Sequence, residues 1–423
     1  MNLLLKNVLI ADASSSFFQQ QKDILIVDGI IHQIEDTIQV NEAHTTILHQ
    51  PNMVVSQGWV DVFTDIANPG FEYRETLTTV SAAAIAGGFT QLFSLPNTAP
   101  KIDYQSQVAY LVEASKSLPI QIHPLGAISK NIEGKDLAEM YDMQNSGAVA
   151  FTDGNLPVQS AGLFLKALQY VKAFDGTLIQ IPVDHKIGSF GLMNEGIVST
   201  QLGLPGIPYL SEILMIKRDI DLLKYTQSKL HITGVATAEG IALIETAKKE
   251  GLHITCSVTP FHLMFCDEDL VTYDTNLKLN PPLRSRSDMM ALRSAVENGV
   301  VDCIASQHAP QNWDSKVCEF EYAKHGSISL QTAFAQVNQV LPNLSAVQIA
   351  NLFSNNVKVI FKLPNNPVEI GKAANITIFT RENETVLTQQ NNQSKSANSA
   401  LFNIPLKGKV LGVVAKNKVH LQS

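Results

Sequence analysis

The chain has 423 residues, of which 45% are apolar and 17% are charged, and its formal net charge at pH 7 is −8. These values are ordinary for a globular protein, and the length exceeds what one core usually supports unless that core is a large α/β barrel. The negative charge argues against a broad surface for nucleic acid or anionic membranes. No apolar stretch approaches the roughly 18 residues that a membrane span needs, so we expect a cytoplasmic protein.

The four cysteines, Cys256, Cys266, Cys303 and Cys318, form no CxxC pair. Cys256 and Cys303 lie within apolar runs that resemble strands, where a free cysteine behaves as a small hydrophobic residue. Buried thiols of this kind are typical of a reducing cytoplasm.

Both ends of the chain have the pattern of short β-strands. The N-terminal end contains NLLLKNVLIAD, KDILIVDG and IIHQIEDTIQV, and Asp28-Gly29 between the last two is a hairpin signal. The C-terminal end contains NITIFTRE and KGKVLGVVAKNKVHLQS. We predict that residues 1–53 and 366–423 meet in one small β domain.

Residues 54–365 alternate strand-like runs with helical runs in units of roughly 30 residues, a pattern typical of a parallel sheet. About eight such units fit, which favours a closed (β/α)₈ barrel over an open sheet. In such a barrel the residues that follow each strand face the functional end. The Gln/Asn/Ser-rich stretch from Arg381 to Ser399 is expected to be a mobile surface loop with no site of its own.

Four blocks in order carry a resemblance to a known family. They are AAAIAGGFTQLFSLPNTAP, GLMNEGIVSTQLGLPGIPYLSEILMIKRDIDL, TCSVTPFHL and LNPPLRSRSDMMALRSAVENGVVDCIASQHAP. The chain resembles the dihydroorotases of the amidohydrolase superfamily over nearly its whole length. The resemblance implies a barrel with a β domain built from both termini. It also implies hydrolysis of a cyclic amide in pyrimidine biosynthesis, with one or two divalent metals, usually zinc, that lower the pKa of a bound water to about 7.

The residues expected after the first barrel strand depart from this family. The family places two histidines one residue apart there, followed by an arginine that holds the substrate carboxylate. Here the histidine positions are Phe63 and Asp65, and the arginine position is Ala67, while Asp61 is retained. Phenylalanine offers no lone pair to a metal, and alanine offers no donors to a carboxylate.

The remaining family positions show the same loss. The bridging carboxylate is kept as Asp153, but the next histidine falls on Pro182. The His-x-x-His block keeps His231 and has Gly234 in place of its second histidine. The aspartate that serves as metal ligand and general base is replaced by Gln307, whose neutral amide takes no proton from water.

Only Asp153 and His231 of the usual ligand set are therefore retained, whereas zinc sites need at least three protein ligands. We predict that no metal is bound. The alternative is an oxygen-rich site for one divalent ion formed by Asp61, Asp65, Asp153 and His231, which would suit Mg²⁺ or Mn²⁺ better than zinc. His185 follows Pro182 by three residues and is expected to point elsewhere.

Three further retained residues, Asn97, Asn280 and His308, are candidates for the substrate pocket because their family counterparts lie near the substrate. Turn chemistry is the favoured interpretation of the two asparagines, because each stands beside a proline. Lys278 and Arg284 flank the Asn280 loop and are expected to be solvated residues of the rim.

Two functions follow from these observations. The first is a catalytically inactive dihydroorotase-like protein that forms homodimers and serves as a structural or regulatory partner of aspartate transcarbamoylase, an association that the resemblance implies. The second is an active dihydroorotase, or another cyclic amidohydrolase, with an unusual site for zinc, magnesium or manganese.

Overall fold

The computed structural model describes residues 2–422. The N-terminal part forms β1 (Asn2–Ile10), β2 (Gln21–Val27), β3 (Ile30–Glu35), β4 (Thr45–Leu48) and β5 (Val54–Gln57). Strands β1, β2 and β3 pair antiparallel, whereas β4 and β5 run parallel to β1. The predicted hairpin at Asp28-Gly29 is confirmed, since both residues have positive φ, of 48° and 79°. A Cβ on Gly29 would lie 2.5 Å from the Cα of Asn417, so the C-terminal hairpin requires glycine there.

The middle of the chain supplies the barrel. Its strands are β6 (Trp59–Thr64), β7 (Phe89–Ser94), β8 (Gln121–Gly126), β9 (Ala150–Phe151), β10 (Leu178–Gln180), β11 (Met193–Asn194), β12 (Gly206–Ile207), β13 (Leu230–Thr233), β14 (Ile254–Val258) and β15 (Cys303–Ile304). Strands β11 and β12 form a separate pair, and the other eight form one parallel sheet in chain order. Strands β6 and β15 lie at the two ends of this sheet and do not pair among the described residues, so the barrel is nearly closed, as expected for the (β/α)₈ fold.

Helices connect and surround these strands. They are α1 (Leu77–Ala86), α2 (Gln105–Ala114), α3 (Met140–Asn145), α4 (Ala161–Lys172), α5 (Ile197–Leu202), α6 (Leu210–Thr226), α7 (Ala238–Lys249), α8 (Pro260–Met264), α9 (Arg286–Glu297), α10 (Ala333–Val340), α11 (Ala346–Phe353) and α12 (Asn355–Ile360). In the described part of the chain, every helix is too short or too polar to cross a bilayer.

The C-terminal strands β16 (Ile376–Val386), β17 (Pro405–Ala415) and β18 (Lys418–Leu421) return to the N-terminal ones. Strand β16 pairs antiparallel with β5, so the order of the terminal sheet is β18-β17-β16-β5-β1-β2-β3. The prediction of one β domain built from both termini is confirmed. The expected division at residues 53 and 54 falls just before β5, which belongs by its pairing to this sheet.

An aromatic cluster joins the terminal sheet to the barrel. The fully buried Trp59 stacks on Phe353 with ring centroids 5.1 Å apart, and Phe334 and Phe379 each approach it to 5.2 Å. Its indole N–H donates to the Ser56 hydroxyl at 3.0 Å. Since Phe379 belongs to β16, folding of the barrel and of the terminal sheet is coupled through one shared core.

The seam between the first and the last barrel strand is bridged by a side chain. The Asp61 carboxylate, on β6, accepts hydrogen bonds from the Ser306 amide at 2.6 Å and the Ser306 hydroxyl at 2.8 Å, just beyond β15. The Thr64 hydroxyl also donates to it. Farther along, the Asp65 amide donates to the His308 carbonyl at 2.9 Å. Asp61 therefore ties the two ends of the sheet together.

The polar stretch from Arg381 to Ser399 is not a loose loop, so that expectation is wrong. Its first six residues belong to β16, and the stretch that follows packs across the functional end of the barrel. The Asn398 amide donates to the carbonyls of Ala309 and Gly326 at 3.0 and 3.1 Å. Ser394 and the Lys395 amide donate to the buried Glu75 carboxylate. Polar side chains are used here to satisfy buried backbone groups.

Replacement of Asp61 by alanine leaves the Ser306 amide and two hydroxyls without their acceptor at the seam. Because an unsatisfied buried donor costs about 1–3 kcal/mol, we expect D61A to lower the free energy of unfolding by about 3 kcal/mol in urea denaturation. The control is D36A, at an exposed carboxylate paired with Lys22, which should change stability by less than about 0.5 kcal/mol. Equal effects of the two substitutions would contradict the role of Asp61.

Candidate functional site

A cavity of about 420 Å³ opens at the carboxyl ends of the barrel strands. Its floor is apolar, because Phe63 and Leu95 of the barrel interior form part of it. Loops after β10, β14 and β15 build the walls, which include His185, Ile187, Thr259, Phe261, Leu279, Asn280, Gln307, His308, Lys324 and His325. The cavity lies where the (β/α)₈ fold places its functional residues.

Asp65, just after the first barrel strand, forms an ion pair with Arg74. One oxygen of Asp65 accepts a hydrogen bond from the Ala67 amide at 2.9 Å, and the other lies 3.1 Å from Nη1 of Arg74. Both side chains are nearly buried, and the Arg74 guanidinium lies 4.8 Å from the centroid of the Phe71 ring. Asp65 thus already has a cation and a backbone donor.

Asp153 is likewise fully engaged. Its Oδ1 accepts hydrogen bonds from the amides of Ile128 and Ser129 at 2.8 and 2.9 Å, and the Ser129 hydroxyl donates to its Oδ2. The side chain is completely buried, and this burial raises the pKa of the carboxyl group to about 6. Asp153 anchors the loop that follows β8.

His231 lies inside the barrel wall, away from the cavity lining. Its two ring nitrogens are hydrogen-bonded to the hydroxyls of Thr255 at 2.8 Å and Ser257 at 3.0 Å. Its ring packs on the edge of Phe361 with centroids 5.4 Å apart. Burial lowers its pKa to about 3, so the imidazole is neutral and serves as a core residue of β13.

The side chain of Gln307 packs directly against Gly234. A Cβ at residue 234 would lie only 2.3 Å from Nε2 of Gln307, so the glutamine amide fills the volume of the side chain that Gly234 lacks. Nε2 is buried and has no hydrogen-bond partner among the described residues. The two replacements at the ends of β13 and β15 are therefore sterically coupled.

The donor set at the strand ends does not fit a zinc centre or a carboxylate-rich metal centre. The carboxylate oxygens of Asp61, Asp65 and Asp153 already accept hydrogen bonds from protein groups. His231 lies in the barrel wall, with both ring nitrogens hydrogen-bonded. Within residues 2–422, no three His, Cys, Asp or Glu side chains converge as a metal-binding group. Pro182 is buried and offers no donor. His185 does line the cavity, so the expectation that it points elsewhere is wrong, but it has no partner ligands.

The three pocket candidates have different positions. Asn280 and His308 line the cavity, and His308 is fixed by Glu75 at 3.4 Å and by the Ser329 amide at 3.1 Å. Asn97 instead joins two loops, since its amide donates to the Asp153 carbonyl at 3.1 Å. Asn97 thus has a structural role, although its bond joins two loops and is not local to a turn, whereas Asn280 belongs to the cavity lining.

Lys278 and Arg284 are buried, so the expectation of solvated rim residues is wrong. Each is only 3% exposed. Lys278 donates to the carbonyls of Phe320 and Glu321 at 2.7 and 2.9 Å, and Arg284 donates to the Ile207 carbonyl at 2.7 Å. Buried cations of this kind satisfy loop carbonyls that would otherwise lack donors.

Four residues of the site were missed from sequence: Arg74, Lys316, Lys324 and His325. Lys316 donates to the carbonyls of Lys324 and Gly326 at 2.8 and 3.0 Å and holds the cavity wall in place. The spacing of Arg74 from Asp65 follows no helical or strand period, so no local signal marks their ion pair. Loop residues of this kind are found only once the loop path is known.

The architecture matches that of solved hydantoinases. A solved L-hydantoinase (dihydropyrimidinase) from Arthrobacter aurescens covers 99% of this chain and 95% of its own, with a TM-score of 0.86 and 21% identity. The chain therefore has the amidohydrolase fold, a (β/α)₈ barrel with a terminal β domain, as predicted.

The sequence comparisons identify the family within this class. Residues 52–240 match the family model described as Dihydro-orotase-like. A dihydroorotase from Syntrophus aciditrophicus is 35% identical and covers 100% of both chains. One from Caldicellulosiruptor saccharolyticus is 36% identical and covers 99% of this chain and 98% of its own. The chain belongs to the dihydroorotase family.

A structural role for Asp153 predicts different results for two substitutions. D153N keeps an oxygen acceptor for the Ile128 and Ser129 amides and removes a buried charge, so stability at pH 7 should change by less than about 1 kcal/mol. D153A leaves both amides unsatisfied and should cost about 2–3 kcal/mol. Urea denaturation measures both values, and a D153N variant as unstable as D153A would contradict this role.

Lys316 predicts a pH dependence of stability. Burial lowers its pKa from 10.5 to about 8, so the folded state releases this proton before the unfolded state does. Stability should therefore rise as the pH increases from about 8 to about 10.5. K316M should show a smaller rise than the unmodified protein, because Lys358, whose pKa burial also lowers to about 8, still contributes. It should lose about 2 kcal/mol at pH 7, because two carbonyls lose their donor.

The matched control is K135M, at an exposed lysine paired with Glu133. It should leave stability and its pH profile unchanged. Hydrogen exchange should localise the effect of K316M to residues 311–327. Exchange that increases uniformly over the chain would contradict the role of Lys316 in holding the cavity wall.

Proposed function

We propose that this protein is a dihydroorotase-family member of pyrimidine biosynthesis that does not catalyse the family reaction and binds no catalytic metal. One observation supports this proposal most strongly: all three carboxylates at the barrel mouth already accept hydrogen bonds from other residues of the protein. Asp61 accepts from Ser306, Asp65 from Arg74 and Asp153 from Ser129. A metal would have to displace these bonds in a buried setting, at the cost of orphaned donors.

The position of the general base supports the same proposal. Gln307 is neutral at all pH values and its amide is packed against Gly234. Loss of a positioned base alone removes about 10²–10⁴ in rate. Ala67 adds the loss of the arginine that the family uses for the substrate carboxylate, so metal binding, proton transfer and carboxylate capture are all affected.

The second candidate function is an active dihydroorotase. The observation in its favour is the end-to-end identity of 35% with proteins that bear this name, together with a retained cavity of enzyme-like size. This candidate requires a catalytic metal ion. Asp65 would have to break its contact with Arg74 to bind that ion, and at least two further ligands would have to reach it.

Metal analysis and turnover distinguish the two candidates. Protein purified without chelator, in medium supplemented with zinc and manganese, should contain less than about 0.1 equivalent of either metal. It should hydrolyse dihydroorotate no faster than buffer. The dihydroorotase from Caldicellulosiruptor saccharolyticus, purified in parallel, is the positive control. Stoichiometric metal with measurable turnover in this chain would overturn the proposal.

A non-catalytic member needs a partner through which it acts, and we take aspartate transcarbamoylase as that partner and a homodimer as the oligomeric form. Exposed apolar side chains on segments that adjoin the cavity lining, one of them at the start of α5, support a docking role. Phe190 and Ile197 are 87% and 77% exposed, and Trp313 and Tyr322 are 72% and 71% exposed. Large exposed apolar groups of this kind are typical of protein interfaces.

Co-elution tests the partnership. This protein and the aspartate transcarbamoylase of the same cell should elute together in size-exclusion chromatography. The double substitution F190S/W313S should separate them without lowering the melting temperature of this protein. Y141S, at an exposed tyrosine on α3, is the matched control. A transcarbamoylase that is fully active and stable alone, and never elutes with this chain, would contradict the partnership.

A further inference from the structure

Helix α6, on the outside of the barrel, carries large apolar side chains on the side that faces solvent. Its inward side is fully buried and includes Ile213, Ile216 and Leu223. On the outward side Leu214 is 47% exposed and Tyr225 is 74% exposed. A helix on the surface of a globular protein usually keeps charged and polar residues on this side, so these two side chains depart from the usual pattern.

The neighbouring helices have polar outward sides. Helices α4 and α7 pack on either side of α6. The outward residues of α4 include Lys166 and Gln169, and those of α7 include Glu239, Thr246 and Lys249. The exposed apolar residues of α6 are thus bordered by polar ones on both flanks. An apolar centre within a polar rim is the usual composition of a protein interface.

Two charged residues lie between the apolar ones on the outward side of α6. Lys217 follows Leu214 by three residues, Asp221 follows Lys217 by four, and Tyr225 follows Asp221 by four. This spacing places the four side chains on one side of the helix, over about 16 Å of its length. Along the chain the order is therefore apolar, cation, anion, aromatic.

The anion of this series has no partner. Asp221 is exposed and forms no hydrogen bond or ion pair within residues 2–422. Lys217, one turn before it, contacts Glu239 of α7 at 2.9 Å instead. Lys224 is close enough to feel the charge of Asp221, but its ammonium group contacts Glu250 at 2.6 Å. Asp221 is therefore available to a cation from outside the chain.

A second copy of the same helix complements this series. In a two-fold symmetric dimer each contact occurs twice, because residue i meets residue j and j meets i. If the two copies of α6 pack antiparallel with Lys217 of one beside Asp221 of the other, the axis passes level with Asp219. Leu214 of each copy then lies beside Tyr225 of the other. Two ion pairs flanked by two apolar contacts result, so this side of the helix is complementary to itself.

We propose that the outward side of α6 is the interface through which two copies of this chain form an antiparallel, two-fold symmetric dimer. The inference rests on the homodimer of the proposed function, for which it names the contact surface and the register. None of the four residues Leu214, Lys217, Asp221 and Tyr225 lines the cavity, so the interface does not use the cavity lining. The polar side chains of α4 and α7 form its rim.

Charge reversal tests the register, because one helix supplies both partners of each ion pair. The full-length protein should have the mass of a dimer in size-exclusion chromatography with light scattering. K217E places two carboxylates side by side at both symmetric contacts, and D221K places two ammonium groups there. Each should raise the dissociation constant of the dimer at least about tenfold. K217E/D221K should restore the dimer, because the pair forms again with its charges exchanged.

The double variant also serves as an internal control. K217E breaks the contact with Glu239, and K217E/D221K breaks it equally, so recovery in the double variant reports on the pair with Asp221 alone.

Apolar substitutions test the flanking contacts. L214S and Y225S should each weaken the dimer about tenfold, since each removes apolar area from both symmetric contacts. Y110S, at a 56% exposed tyrosine on α2, and K116E, at an exposed lysine paired with Glu113, are the matched controls and should leave the dissociation constant unchanged. The far-ultraviolet circular dichroism spectrum should be the same for all variants, because these side chains are exposed.

The outcomes separate this inference from the proposed function. A dimer that K217E, D221K and Y225S all leave intact overturns the inference, since another surface then holds the two copies, and the homodimer stands. Single variants that dissociate without recovery in K217E/D221K overturn the antiparallel register. An unmodified protein that stays monomeric at every concentration overturns both the inference and the homodimer. Metal content and turnover decide independently whether the protein is catalytic.

Discussion

A buried carboxylate needs donors or a cation, and at the mouth of this barrel the protein itself supplies them. Asp61 takes the amide and hydroxyl of Ser306, and Asp65 takes the guanidinium of Arg74. Asp153 takes two backbone amides and a serine hydroxyl. In a metalloenzyme of this fold the ion would perform this neutralisation. Here the satisfied carboxylates close the seam and hold the loops, so the end of the barrel keeps its shape through protein contacts.

The same constraint explains the buried cations around the cavity. Lys278 and Lys316 bind backbone carbonyls of the loop between residues 311 and 327, and Asn398 crosses from the terminal domain to carbonyls of the same region. The cavity wall is therefore fastened from two sides. Because these contacts hold the walls, the pocket keeps its shape without a catalytic metal. This is consistent with a family member that binds a ligand or a partner protein and does not catalyse the reaction.

Much of the fold was predictable from sequence, because strand and helix periods are local. The alternation of strands and helices indicated the barrel, and Asp28-Gly29 marked the hairpin between β2 and β3 of the terminal sheet. The departures at Phe63, Ala67 and Gln307 were also visible in single positions. The pairing of Asp65 with Arg74 was not, since it depends on the path of a loop. The packing of residues 387–404 against the barrel was not predictable either. Polar composition does not reveal which buried carbonyls such residues will bind.

The most direct test of this account is anomalous diffraction at the zinc absorption edge from crystals grown with excess zinc. The account predicts no zinc peak at the barrel mouth and intact contacts from Asp65 to Arg74 and from Asp153 to Ser129. A strong peak coordinated by Asp65 or Asp153, with either contact broken, would contradict it.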